Sequence, residues 1–397
     1  MYIVRSTEIK DTISQLWMKY LLTITAGDIM LGEVADQLYV SDLDFKRLGR
    51  KGEENLLEAV IDTGFSDTID DAVENLCSDP EGMPPYSELL QTFSPDDLWE
   101  TLFQEIIAHA HYYDSSLVTQ NPYYTHVHAP TVSSGAIELT TADYLGGEFF
   151  QTYHRGFSAK DPFGYADIGF FDGTVPFPVL MEKGNVWMSV VMSEIESMEE
   201  PIAAARGKVI TYGLGLGYYA FMAAEKEEVE SVTVVEMNPR VISLFEKYLL
   251  PQFPHKEKIH ILQADALEFI DQQVDGEYEE AFSDFWGGVA DGLELYMKFM
   301  PKTKRFHKTR HDYWIETCFL EYYFRPVMMK VLMEKGLGRK VQLPEVGRKE
   351  KYIQRRFEEF LWKWNYRIEK AEDLYRVLDT SFMISLMREF GEESVGK

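Results

Sequence analysis

Apolar residues recur at helical spacing in TISQLWMKYLLTI and again in DLWETLFQEIIAHA, which predicts helices over most of the first ~115 residues. The second of these carries a start signal: Ser94 as N-cap, Pro95 in the first turn, then Asp96 and Asp97 against the positive end of the helix dipole. Between them CSDPEGMPPYSE (77–88) is broken by proline and glycine and reads as a loop. From about residue 120 the period shortens toward two. GAIELTTADY (135–144) and ADIGFFDG (166–173) read as strands, and PFPVLMEKGNVWMSVVM (176–192) as a hairpin turning at Lys183-Gly184-Asn185. SEIESMEEPIAAARG then returns to helical spacing. The chain shows no internal repeat and no low-complexity tract.

Residues 208–271 alternate strand and helix. KVITY is a buried strand, Gly213-Leu-Gly215-Leu-Gly217 a tight turn, YYAFMAAEKE a helix, and VESVTVVE a second strand ending in Glu236. NPRVISLFEKYLL follows as a helix with Asn238 as N-cap and Pro239 in its first turn, then KIHILQAD as a third strand ending in Asp265. This alternation predicts a parallel sheet with crossover helices. Glycines in such a turn permit positive φ and let a ligand approach the backbone. An acidic residue about 20 positions further on reaches ribose hydroxyls. Glu236 lies 19 residues after Gly217, at the end of the next strand. Gly215-x-Gly217-x-x-Ala220 also satisfies the dinucleotide pattern, so the discriminating feature is the end of the third strand, Ala264-Asp265-Ala266.

This set of glycines, acid and Asp-Ala resembles the class I S-adenosylmethionine-dependent methyltransferase family over 208–271, less so to about 300, and not in the N-terminal helical part. The resemblance implies a doubly wound, Rossmann-like α/β core. It places Gly213, Gly215 and Gly217 beside the methionine part of the cofactor, Glu236 on the ribose, Asp265 with Ala266 at the adenine amino group, and Met237 on the adenine face. Many members carry an acid two positions before the first glycine, where this chain has Thr211. The polyamine synthases share the core, usually lack that acid too, and carry a β-hairpin region before it, as 166–192 is expected to do here. Their catalytic motif at the fourth strand contains an Asp. In YEEAFSDFWGG the matching candidate is Asp284, with Asp291 a second choice. The usual small Asp-Pro loop is replaced by Phe285-Trp286-Gly287-Gly288, and the Asn/Asp-Pro-Pro-aromatic motif of many amino-group methyltransferases is absent.

Beyond residue 300, RHDYWIE (310–316) reads either as a fifth strand or as the start of a long helix. KEKYIQRRFEEFLWKWNYRIEKAEDLYRVL is helical where last strands would be expected. The domains expected are therefore an N-terminal helical one (1–118), a β-rich hairpin region (119–195), and an α/β domain with a helical C-terminal extension (196–397).

Charge narrows the partners. Against 39 Lys and Arg stand 66 Asp and Glu, a net charge of −27, which disfavours nucleic acid and anionic membranes. The imbalance is concentrated in residues 1–150, with 7 basic and 26 acidic side chains, whereas 301–397 hold 21 basic and 15 acidic. Such a field either solvates the surface or attracts a cationic substrate. Cys77 and Cys318 cannot build a disulfide framework, and the first residues lack a secretory layout, so a cytoplasmic setting is expected.

Histidines cluster at His109, His111, His126, His128 and His154. His126-Val-His128 on a strand would share a face, but no further ligand pattern accompanies them and no metal is expected. Tyr153 and His154, in the aromatic run 149–171, are candidates for an acceptor pocket.

The leading expectation is a methyltransferase using S-adenosyl-L-methionine on a small-molecule or protein acceptor, a cation being one such acceptor. The alternatives are an aminopropyltransferase using the decarboxylated cofactor, and a non-catalytic nucleotide-binding interaction protein. In either transfer, Asp284 would orient an acceptor amine or accept its proton.

Overall fold

The computed structural model describes residues 1–36, 54–83, 85–153, 163 and 167–395, with backbone alone for 54–64 and 392–395. Contacts divide the chain into two compact units. One holds 1–112, 147–172 and 317–394; the other holds 113–146, 173–316 and 395–397.

The first unit is mainly helical. The helix Thr7–Ala35 packs against Pro95–Ala108 and against Ala371–Leu378. Ser94 caps Pro95–Ala108 as expected, accepting from the Asp97 amide at 3.2 Å. The C-terminal helices, expected as an extension of the α/β domain, group instead with the N-terminal ones. One physical link is on the backbone: Tyr2–Ile3 pairs in parallel with Arg367–Ile368. Another is apolar: Trp17, Leu21, Leu102, Met328, Phe357 and Leu378 are all buried. The fully buried Arg325 is neutralised by Glu321 at 2.7 Å and also donates to the Leu378 carbonyl and Thr380.

After two short helices, Ser116–Thr119 and Pro122–His126, the second unit has a four-stranded antiparallel sheet of β1 (Val132–Ser134), β2 (Ile137–Tyr144), β3 (Val175–Glu182) and β4 (Asn185–Ser189), in that order. The β3–β4 turn falls where the sequence predicts it. Lys183 (φ 52°) and Gly184 (φ 84°) both occupy the left-handed region that a two-residue hairpin with strand-matched twist demands.

Next comes α1 (Met192–Ala204), then β5 (Gly207–Tyr212), α2 (Tyr218–Ala224), β6 (Val229–Glu236), α3 (Pro239–Leu244), β7 (Ile259–Gln263), α4 (Ala266–Phe269), β8 (Glu280–Ser283), α5 (Val289–Thr303) and β9 (Arg310–Tyr313). The sheet order is β7-β6-β5-β8-β9, all parallel. RHDY is thus a fifth strand, its register set by the pairing of Glu280 with Arg310. Helices cover both faces. Tyr219 of α2 stacks on Phe282 of β8 (ring centroids 4.4 Å), while Phe299 of α5 meets Tyr212 of β5 on the opposite face (4.8 Å). The α/β, doubly wound reading therefore holds.

His126-Val-His128 corrects an expectation. Asn121 caps a short helix, Pro122–His126, by accepting from the Tyr123 amide at 2.9 Å, so the Asn-Pro start signal overrides strand formation and the two rings do not share a strand face. Among the described residues no group of three His, Cys, Asp or Glu is placed to hold a metal, and no helix is long and apolar enough to cross a membrane. His109 and His111 instead share Asp167 of the first unit, at 2.7 and 2.9 Å. His154 lies outside the described residues. Tyr153 is hydrogen-bonded to Thr317 (2.6 Å) within the first unit.

Candidate functional site

The strand order reverses at β5, with β6 on one side and β8 on the other. At such a point the loops leaving adjacent strands diverge and open a crevice. The glycine turn lies here. Its backbone is tied in on both sides: the Gly213 amide donates to Val235 O and the Asp284 amide to Tyr212 O, each at 2.8 Å.

The three glycines have different physical reasons. Gly213 has φ 101°, and a Cβ there would overlap the carbonyl oxygen of Asp284, so the end of β8 can approach only a residue without a side chain. Gly217 (φ 77°) starts α2, and a Cβ would enter the Phe245 ring. Around Gly215 (φ 51°) there is more room; its nearest neighbour would be the Met188 sulfur at 3.2 Å, on β4 of the hairpin. Two of the three glycines are thus required by internal packing, and Gly215 is the one whose only near neighbour, among the described residues, is a movable side-chain atom of the hairpin.

Those turn residues line a cavity of about 290 Å³. Trp187 and Met188 of β4, Glu194 and Met198 of α1, and Asp284 and Trp286 beyond β8 complete much of its wall. Tyr218, Tyr219 and Trp314 also contribute. No Lys, Arg or His lines it among the described residues. A second layer holds the turn from outside: Tyr123 donates to Leu216 O (2.8 Å), and Asn121 to the Tyr218 hydroxyl (3.0 Å). Trp314 is oriented by donating to Ser197 Oγ at 2.9 Å.

Charge in the cavity is all acidic. Burial pushes the Asp284 carboxyl up to about 7, with the nearby Glu236 charge adding to it. Burial, then the charge of Asp284, holds Glu194 well above the usual carboxylate range. Neither side-chain carboxylate makes a hydrogen bond among the described residues.

Of the sequence-predicted residues, the cavity wall brings together Gly213, Gly215, Gly217 and Asp284. Glu236, Met237, Asp265 and Ala266 lie outside it, at the ends of β6 and β7, where Ala264 N donates to Glu236 O at 3.1 Å. The Glu236 carboxylate is buried and accepts from the amides of Asn238 (2.7 Å) and Leu214 (3.2 Å), so it ties β6 to the glycine turn. Burial raises its pKa against those bonds. Each oxygen keeps a further lone pair for a hydroxyl donor. Asp265 caps α4, one oxygen accepting from Leu267 N (2.7 Å) and Glu268 N (3.3 Å). Met237 is 65% exposed, and Ala266 is buried. Thr211, in place of the expected acid, is buried and bonds back to Gly213 O at 3.4 Å.

Sequence reasoning missed Glu194, Trp187 and Trp314. They come from a hairpin strand, the helix after it and the segment beyond β9. No spacing links them to the glycine turn.

The geometry defines a doubly wound α/β unit with an acidic, aromatic cavity at its switch point. No protein-family model matches the chain, and no curated protein matches it. Among solved structures, spermidine synthase from Thermotoga maritima aligns with 45% of this chain and 68% of its own, at 13% identity and TM-score 0.28. A spermidine synthase in complex with the transition-state analogue AdoDATO aligns with 47% of this chain and 71% of its own (14% identity, TM-score 0.30). Precorrin 8W decarboxylase from Methanobacterium thermoautotrophicum aligns with 39% and 77%, at 19% identity and TM-score 0.25.

Proposed function

We propose that the α/β unit binds an S-adenosyl sulfonium and transfers an alkyl group from it to an amine. The observation that carries this reading is the cavity at the glycine turn: it contains Asp284, several indole and phenol rings and, among the described residues, no basic side chain. A positively charged ligand is favoured by such a wall through carboxylate attraction and ring quadrupoles.

The residues present fit the adenosyl group. At Gly215 only the movable Met188 side chain, among the described residues, lies close to the turn, and Glu236, Met237, Asp265 and Ala266 stand at adjacent strand ends, the two carboxylates with acceptor capacity to spare. In this reading Glu236 holds the ribose, Asp265 and Ala266 the adenine edge, and Met237 the adenine face. When bound, the sulfonium supplies an electrophilic carbon and a neutral thioether leaving group. Asp284 receives the proton that an ammonium must shed before its nitrogen can attack. The aromatic wall excludes water and holds the two reactants together.

Methyl transfer and aminopropyl transfer differ in the donor's carboxylate. A cavity with two acids and, among the described residues, no cation opposes that carboxylate and suits the decarboxylated donor, so aminopropyl transfer is the better-supported of the two. Calorimetry with both donors tests this. Tighter binding of the decarboxylated form is the expected result, preference for S-adenosylmethionine would return the reading to methyl transfer, and binding of neither would leave a non-catalytic interaction protein.

Two further results are expected. Glu236→Ala should weaken donor binding by at least ~1 kcal/mol through lost charge-assisted hydrogen bonds; unchanged affinity in the same calorimetry would remove the ribose role. Transfer should rise with pH and level off above about 7, where Asp284 is ionised and can take a proton. A flat kcat/KM profile between pH 5.5 and 8.5 would contradict that role.

A further inference from the structure

We infer that the exposed face of the helix Arg348–Lys363 is a docking surface for a second copy of this chain, whose acidic stripe on the helix Glu54–Ser78 is its counterpart. The inference concerns the helical unit and does not depend on the transfer reading.

The docking face follows from the pattern of its helix. Gln354, Phe357 and Leu361 are buried, which turns the opposite side outward. That side carries Arg348, Lys351 and Arg355 at i, i+3 and i+7, with Tyr352 (53% exposed) among them and Trp362 (46% exposed) two turns further on. Acids of the same helix leave these cations available. Glu358 is held by Lys330 at 2.8 Å, and Glu359 approaches Arg355 only to 3.9 Å. The Arg348 and Lys351 side chains make no ion pair or hydrogen bond among the described residues. Both rings are held in place: Arg356 donates to the Tyr352 hydroxyl at 3.2 Å, and the Lys335 ammonium lies 4.3 Å from the Trp362 ring centroid. Arginine, tyrosine and tryptophan on one exposed face are the side chains that carry most of the energy of protein–protein contacts.

Charge selects the occupant. A nucleic acid or an anionic membrane bears its charge continuously and would set most of it against acidic surface on a chain of net charge −27. A second copy is repelled at long range too, but within a Debye length of about 8 Å at 0.15 M salt the local stripes decide. The chain carries a matching stripe. No Lys or Arg stands between Lys51 and Arg155. In this tract the helix Glu54–Ser78 buries Phe65, Ile69, Val73 and Leu76 and exposes Asp67, Asp70 and Glu74, again at i, i+3 and i+7, with Asp71 beside them. None of these four carboxylates has an ion pair or hydrogen bond among the described residues. Each stripe spans two turns, about 10 Å, so three cations on one copy can face three carboxylates on the other. The acidic helix packs against Pro95–Ala108 and the basic one against Arg325–Leu332, within one unit. A two-fold pair makes the contact twice.

The test is sedimentation equilibrium of the full chain in 0.15 M NaCl. The wild type is expected to associate beyond the monomer. R348E/R355E and D67R/E74R should each weaken association at least about tenfold, because each sets like charges together. An equimolar mixture of the two variants should recover it, because every contact is again between opposite charges. Thermal denaturation checks folding. R348Q/R355Q and D67N/E74N, which remove charge without reversing it, should weaken association in the same direction and replace any reversal that unfolds. A wild type that stays monomeric, association untouched by both sets of variants, or a mixture of folded reversal variants that fails to recover it overturns the inference. Capture of a polyglutamate peptide or of duplex DNA by a monomeric wild type, lost in R348E/R355E, overturns it as well and gives the face to another anionic partner.

Discussion

Asp284→Asn is expected to lower the transfer rate by about 10²- to 10³-fold and, at the same time, to make the protein more stable above neutral pH. The first effect follows from losing the carboxylate at the end of β8 that lines the cavity; Asn has the same shape but cannot take the acceptor's proton. The second follows from linkage. The Asp284 carboxyl is raised from 3.8 to about 7. Below the lower value both folded and unfolded chains hold the proton. Between the two values the folded chain alone holds it, so stability falls as pH rises through that window. Above about 7 the folded chain carries the buried anion at its full cost. D284N removes that cost, so denaturant titrations should show it more stable than wild type at pH 8, with little difference at pH 4. Wild-type activity in D284N, or a stability loss at pH 8, would contradict the assignment of a strained, catalytic carboxyl.

Gly213→Ala is the second large effect. A methyl group there meets the Asp284 carbonyl, which belongs to a strand end held at 2.8 Å to Tyr212 O and cannot swing away as a flexible side chain would. The residue also sits at φ 101°, outside the conformations an L side chain adopts readily. Steric overlap and backbone strain add, so a loss of about 3 kcal/mol or more in unfolding free energy is expected, with donor binding falling in parallel. Gly215→Ala is the informative comparison. Its Cβ meets only the Met188 sulfur at 3.2 Å, a movable side-chain atom, so its stability loss should be smaller and its effect on ligand binding proportionately greater. Equal losses at the two positions would mean that the turn is held by something other than the β8 contact.

The alternating segment 208–271 was legible because each of its signals is local. A buried β-branched run, three glycines and the Asn238-Pro239 start signal each act within a few residues, and the helices and strands fall where those signals put them. The hairpin turn was legible for the same reason. Arg310–Tyr313 was ambiguous because four residues are too few to set a period; its pairing with β8 decided the matter. His126-Val-His128 would share a face only on a strand, and the helix that starts at Asn121-Pro122, four residues upstream, carries the chain through His126 instead. The grouping of the C-terminal helices with the first ones could not be read at all. It rests on pairing between Tyr2–Ile3 and Arg367–Ile368 and on shared apolar burial, neither of which leaves a mark within either segment. In the site, the glycine turn was legible by motif and Asp284 by its place at the end of the fourth strand, whereas Glu194 is one of many acids on an acidic chain and gains its meaning only from the cavity it faces.

The interleaving of the two units sets an order of events on the ribosome. The parallel-stranded unit has all but its last three residues once the chain has been made to residue 316, and can close while synthesis continues. The helical unit has its first 112 residues earliest of all, yet must wait for 317–394 to cover them. The greasy side of Thr7–Ala35, with Trp17, Leu21 and Met30, therefore spends most of translation uncapped. Nascent chains stalled before residue 317 should accordingly be protease-resistant in their middle and chaperone-bound at their beginning.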